Sequence, residues 1–262
     1  YPPMNTQLET LGIELIEGFE ADQLDLNPDC IVVGNVMTRG HAVIETMLER
    51  QMAMLSGPQW LSQNVLKDRW VLAVSGTHGK TTTASMLAHV LAYAGLQPGY
   101  LIGGVPNNFT QSARLGETPF FVIEADEYDT AFFDKRAKFV HYQPRTLIVN
   151  NLEFDHADIF RDLIDIQKQF HHTIKLLPAT GKLIINAEDE NIQEVLAMGC
   201  WSAQETFGGQ PEHDWQLQTR AGQTDFDVLV GQHQHIHCHF QQLGRYNAMN
   251  AVAAMAAARH AG

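Results

Sequence analysis

The chain has 262 residues, 45% of them hydrophobic and 18% charged, with 20 Gly and 10 Pro. That length can bury one large core or two ordinary ones without disulfide or metal staples, and the composition excludes disordered and collagen-like chains. Thirty acids against 17 bases leave a net charge of −13, which repels phosphate backbones and excludes a general nucleic-acid binder while leaving room for a local cationic pocket.

In chain order, short β-rich apolar runs alternate with helical patterns, the signature of a parallel α/β sheet. Residues 30–34 (Cys-Ile-Val-Val-Gly) read as a buried strand, 41–50 as a helix and 52–55 as a strand. The Gly57-Pro58 turn opens a helix with Trp60, Leu61, Val65 and Leu66 at helical spacing. The charged break Lys67-Asp68-Arg69 is the expected boundary between a first domain, 1–66, and a second, 67–262. In the second, 70–74 is a strand and 80–94 a helix closed by Gly95. Strands follow at 100–102, 120–123 and 146–149, then a helix at 163–177 stopped by Pro178, and a strand at 181–186. Alternation with Gly turns from Trp215 to Phe240 predicts antiparallel ribbons, and an Ala-rich helix covers 248–259. Cys30, Cys200 and Cys238 lack C-x-x-C spacing, no apolar run reaches about 18 residues, and Tyr1-Pro2-Pro3-Met4 has no basic n-region. The expectation is a soluble, cytoplasmic protein.

The strongest chemical signal is Ser75-Gly76-Thr77-His78-Gly79-Lys80-Thr81-Thr82-Thr83 between a strand and a helix. Its glycines let successive N–H groups turn toward phosphate oxygens, and the helix N-terminus adds partial positive charge at the same point. Lys80 supplies a cation for the β/γ-phosphates, and Thr81 a hydroxyl for Mg²⁺. The strict G-x-x-x-x-G-K-[ST] spacing fails because Val74 holds the place of its first glycine. Two polar segments follow apolar strands at the same predicted sheet edge, where doubly wound folds bind ligands: Glu124-Ala125-Asp126-Glu127, and Asn150-Asn151-Leu152-Glu153-Phe154-Asp155-His156-Ala157-Asp158. Glu124 stands at the tip of its strand and His156 in the loop entering the next helix. A further histidine series, His233, His235, His237 and His239, alternates as one face of a strand would; it suits a solvent-facing strand better than a Zn²⁺ site.

Taken with Tyr246-Asn247-Ala248-Met249-Asn250, these motifs in this order resemble those of the Mur ligases, the ATP-dependent amide ligases of peptidoglycan synthesis. The resemblance implies an α/β protein: part of a Rossmann-like UDP-substrate domain at 1–66, then a P-loop-type parallel-sheet ATPase domain with a small antiparallel ribbon at 67–262, the family's third domain lying outside this sequence. It implies ATP and Mg²⁺ as cofactors. Gly76, Thr77, His78, Gly79, Lys80, Thr81 and Thr82 would bind the phosphates, and Asn247 and Asn250, on one helical face, the adenine. Thr81, Glu124 and His156 would hold metal, and Lys80, Glu124 and His156 would serve catalysis. Asn107 and Asn108, in the turn after the 100–102 strand, are candidates to meet the muramyl substrate. Position 171 is His where several members carry a carbamylated lysine, and Lys168 is out of step with it. His78 favours the branch acting on UDP-N-acetylmuramate itself. Segments 124–138, 150–160 and 34–40 are similar to members whose second substrate is L-alanyl-γ-D-glutamyl-meso-diaminopimelate, in peptidoglycan recycling. Free L-alanine as the acceptor, a nucleotide-binding module without ligase activity, and a P-loop kinase stand as the alternatives.

Overall fold

The computed structural model describes residues 4–155, 160–219, 224–231, 234–242 and 244–262. They form two compact units, 1–57 with 130–135, and 58–129 with 136–262.

The first unit contains α1 (Met4–Thr10), β1 (Ile31–Val33), α2 (Ala42–Glu49) and β2 (Met54–Ser56), with β1 and β2 paired in parallel. Its core joins Leu24, Val33 and Met37 to the buried face of α2, Val43, Ile44 and Met47. Phe132 packs against the same cluster, which explains why residues 130–135 belong to this unit. The division falls at Gly57–Pro58, ten residues before the charged break at Lys67–Arg69. The reason is apolar contact: α3 (Gly57–Leu61) runs on as a wider helical turn to Leu66, and Leu61, Val65 and Leu66 bury against the second unit's core.

The second unit is built on β3 (Trp70–Ser75), α4 (Lys80–Tyr93), β4 (Gly99–Leu101), β5 (Ala113–Arg114), β6 (Phe120–Glu124), β7 (Asp129–Ala131), β8 (Asp134–Ala137), β9 (Thr146–Val149), α5 (Leu163–Ile174), β10 (Lys182–Asn186), α6 (Glu190–Ala197), β11 (Ala203–Gly208), β12 (Trp215–Thr219), β13 (Asp225–Val230), β14 (Gln234–His239) and α7 (Arg245–Ala261). β7 and β8 form a separate hairpin whose turn end carries the residues counted with the first unit. The main sheet has ten strands in the order β14-β13-β12-β11-β10-β9-β3-β6-β4-β5. Its centre is parallel, β5 pairs antiparallel with β4 at one edge, and β13 and β14 form the antiparallel ribbon expected at the other.

β3 is an unbroken apolar run because both its faces are covered. Leu72 and Val74 point into a core shared with α4 and the Ala-rich α7, while Val71 and Ala73 point into a second core with α5 and α6. The alanines at 84, 88, 253, 256 and 257 are fully buried, and small side chains at these positions let α4 and α7 lie close together. β3 lies between β6 and β9, and the next strand in the chain after it, β4, sits beyond β6. Chain direction across the sheet therefore switches at the carboxyl end of β3, where a crevice opens. Among the described residues no helix is long and apolar enough to cross a membrane.

Candidate functional site

The loop between β3 and α4 sits in that crevice. Two of its residues need backbone that only glycine adopts cheaply: Gly76 at φ +135° and Gly79 at φ +79°. A Cβ on Gly79 would lie 2.8 Å from Asn250 Oδ1, and one on Gly76 3.1 Å from the Asn151 backbone, so α7 and the β9 loop press directly on this turn. Asn151 holds the turn from outside: its Oδ1 accepts from His78 N–H at 2.7 Å and its Nδ2 donates to His78 O at 3.0 Å. The backbone N–H of Glu153 donates to Thr77 Oγ1 at 2.9 Å, and His78 Nε2 lies 3.8 Å from Glu153 Oε2.

α4 begins without a side-chain cap on its first N–H groups. By contrast, α5 is capped by Asp162 and α6 by Asp189. An uncapped helix start behind a tight glycine turn presents unsatisfied donors to an anion. Lys80, the first residue of α4, stands beside them with its side chain 12% exposed. Its Nζ donates to Gly76 O at 2.8 Å and Thr77 O at 3.3 Å, and lies 3.1 Å from Glu127 Oε2.

At the tip of β6, Glu124 Oε1 accepts from Thr81 Oγ1 at 2.7 Å, and its other oxygen accepts from Gly103 N–H at 2.8 Å. A hydroxyl and a carboxylate brought this close, beside the loop, are oxygen donors of the kind Mg²⁺ selects, so the residues present fit that ion. Thr82 is half-buried one position on. His156, the third expected metal ligand, lies outside the described residues, as does His233.

Beside the loop lies a cavity of about 350 Å³, lined by His78, Gly79, Asn150, Asn151, Glu153, Asn186, Phe207, Arg245, Tyr246, Met249 and Asn250. Asn150, 4% exposed, donates to Thr83 Oγ1 at 2.7 Å and to Asn250 Oδ1 at 3.3 Å, and its own Oδ1 has no partner. An acceptor buried without a partner costs about 1–3 kcal/mol, and in a ligand cavity a donor from the ligand removes that cost. Glu188 accepts two bonds from Arg245 Nη2, at 2.6 and 2.7 Å, and one from Gly209 N–H at 2.7 Å. Burial pushes the Glu188 carboxyl up, but the bonds from Arg245 and Gly209 outweigh it and hold it below its ordinary value.

The structure thus brings together Gly76, Thr77, His78, Gly79, Lys80, Thr81, Thr82, Glu124 and Asn250. It does not bring Asn247 into the cavity lining: α7 starts at Arg245, three residues earlier than the Ala-rich pattern suggested, and Arg245, Tyr246, Met249 and Asn250 line the cavity instead. Asn107 and Asn108 are exposed beyond β4, with Asn108 Nδ2 3.3 Å from His89 Nδ1 on α4. His171 Nε2 lies 3.2 Å from Gly199 O and its ring stacks on Trp201, so it serves the α5–α6 packing. His235 and His237 both bond Asp227, and His239 bonds Asp225, on the exposed face of the β13–β14 ribbon. Among the described residues no group of three or more His, Cys, Asp or Glu is arranged to hold a metal ion. Sequence reasoning missed Asn150, Asn151, Glu127 and the Glu188–Arg245 pair; only the Asn-Asn doublet directly after the β9 apolar run carried a readable signal.

Residues 74–258, the region holding this entire constellation, match the model of the Mur ligase middle domain. The chain belongs to the Mur ligase family. Over its whole length it is 55% identical to the UDP-N-acetylmuramate–L-alanyl-γ-D-glutamyl-meso-2,6-diaminoheptandioate ligase of Escherichia coli K12, and it spans 57% of that Mur ligase. The crystal structure of the corresponding ligase from Neisseria meningitides superposes on all of this chain with a TM-score of 0.95 at 55% identity, over 83% of that structure. A murein peptide ligase from Psychrobacter arcticus gives 0.90 at 44% identity, again over all of this chain and 58% of that one. The Mur ligase alanine-adding enzyme of Thermotoga maritima, at 22% identity and a TM-score of 0.74, shares the fold.

Proposed function

We propose that the protein is an ATP-dependent carbon–nitrogen ligase of the cytoplasm, joining UDP-N-acetylmuramate to L-alanyl-γ-D-glutamyl-meso-diaminopimelate in peptidoglycan recycling. One observation carries the reading. A cation (Lys80), a hydroxyl–carboxylate pair (Thr81–Glu124) and a purine-sized cavity floored by Asn250 meet at one sheet edge around an uncapped helix start. The names of the 55%-identical relatives supply the substrates.

A carboxylate is a poor electrophile, so amide formation requires its activation. The lactyl carboxylate oxygen attacks the γ-phosphorus and ADP departs; the peptide amine then attacks the acyl phosphate carbonyl, phosphate leaves, and the amine gives up its proton. Most of the work in the first step is positioning and charge stabilisation. The loop N–H groups and the α4 N-terminus hold the phosphates in line, and Lys80 neutralises charge on the transferring group. Thr81 and Glu124, with His156, would hold Mg²⁺, which when bound supplies the remaining charge neutralisation on the phosphates. Asn250 presents an amide to the purine edge, where an acceptor and a donor side by side suit the 6-amino group and N7 of adenine. The first unit, extended by 58–66, is the proposed part of the UDP-substrate domain, and Asn107 and Asn108 are proposed to meet the muramyl group.

The route is tested with UDP-N-acetylmuramate carrying ¹⁸O in its lactyl carboxylate and the full-length protein. Activation through an acyl phosphate delivers one ¹⁸O atom to each inorganic phosphate released. Phosphate free of ¹⁸O contradicts the proposed route.

A further inference from the structure

Three carboxylates stand at the end of β6 and directly after it, at positions 124, 126 and 127. Glu124 takes the Thr81 hydroxyl and the Gly103 N–H, and Asp126 takes Lys138 Nζ at 3.0 Å and lies 3.9 Å from Lys80 Nζ, too far for a hydrogen bond. Glu127 takes the phosphate-loop lysine: its two carboxylate oxygens lie 3.1 and 3.4 Å from Lys80 Nζ, and it is 2% exposed. Lys80 also donates to the carbonyls of Gly76 and Thr77. An ammonium has three donors, so all three are engaged inside the protein. For Lys80 to serve a phosphate, at least one must be released. The two carbonyls are backbone groups of the turn that forms the cradle. Glu127 is the exchangeable partner, with the same charge sign and the same oxygen chemistry as the phosphate that would replace it.

We infer that Glu127 is a positioning residue that pairs with Lys80 and competes with a nucleotide's phosphates for it. The inference rests on the reading of Lys80 as the phosphate cation. Burial pushes the Glu127 carboxyl above its ordinary value, and Lys80 offsets only part of that effect. Binding a triphosphate exchanges one anion for another at Lys80, and this weakens the hold on the ground state.

The test is the dissociation constant of Mg·ADP and of a β,γ-imido ATP analogue for the full-length protein, by calorimetry. Glu127→Gln keeps the shape and removes the charge, and it should tighten the analogue about tenfold, a direction that general damage to the fold does not produce. Glu127→Asp, which keeps the charge but withdraws it by one methylene, should tighten it less, and it carries the test if the Gln variant does not fold. In a Lys80→Ala background, Glu127→Gln should change nothing, because Glu127 acts through the lysine. Weaker binding in Glu127→Gln, or an equal gain with Lys80 absent, overturns the inference while leaving the nucleotide site standing. Wild-type protein that binds neither nucleotide overturns the site reading, and the inference with it.

Discussion

Gly79 and Gly95 flank the same helix with nearly the same backbone, φ +79° and +81°, yet their surroundings differ. A Cβ on Gly95 meets nothing within 4 Å, whereas one on Gly79 lies 2.8 Å from Asn250 Oδ1 and 3.0 Å from Nδ2. Replacing either by Ala imposes the left-handed penalty, about 1–2 kcal/mol. The atoms struck at Gly79 are the end of a side chain that can move, so the two variants should lose similar stability. They should differ in ligand affinity. Moving the Asn250 amide breaks its bond from Asn150 and displaces the donor–acceptor pair proposed to read the purine, a loss of about 1–3 kcal/mol, or roughly 5- to 150-fold in Kd. Thermal unfolding and Mg·ADP titration of both variants check this. Equal affinities in Gly79→Ala and Gly95→Ala would refute the placement of the purine against Asn250.

Under the proposed ligase reading, Lys80→Ala and Glu124→Gln should each lower turnover about 10³-fold in the full-length protein, with Glu124→Gln also raising the Mg²⁺ concentration needed for half-maximal rate; steady-state kinetics at varied Mg²⁺ reads both. Asn250→Ala should weaken Mg·ADP about tenfold while Asn247→Ala stays within about twofold, since only Asn250 lines the cavity. Glu188 sits below its ordinary carboxyl value because of Arg245 and Gly209, so the folded protein binds that proton less tightly than the unfolded chain does. Its stabilisation is complete above the ordinary carboxylate range and is lost as pH falls through that range to the lowered value. The gap in melting temperature between wild type and Glu188→Gln should therefore be widest near pH 7 and shrink toward pH 4.

What the sequence revealed was local. The apolar run of β3, the glycine turn and the helix opening at Lys80 form one contiguous stretch, so their chemistry could be read without knowing the fold. The tips of β6 and β9 were legible because polar residues break directly from apolar runs there. The Asn150–Asn250 bond was not, since it joins residues a hundred positions apart, and neither was the Arg245–Glu188 pair across 57. Burial of Glu127 was hidden for another reason: among four polar or acidic neighbours, nothing in the spacing tells which carboxylate turns inward to a lysine. β11 and α6 escaped because Glu190–Gly208 is polar on its outward face and short in its apolar runs. The compact units divide ten residues before the charged tripeptide, because Leu66 is buried and Leu61 and Val65 are partly buried against the core of the second unit, contacts that local sequence does not display.

The central claim is the identity of the reaction, and phosphate release by the full-length protein tests it most directly. With ATP, Mg²⁺ and UDP-N-acetylmuramate, release should require L-alanyl-γ-D-glutamyl-meso-diaminopimelate and should not occur with free L-alanine. Release with L-alanine in place of the tripeptide, or none with either acceptor, would contradict it.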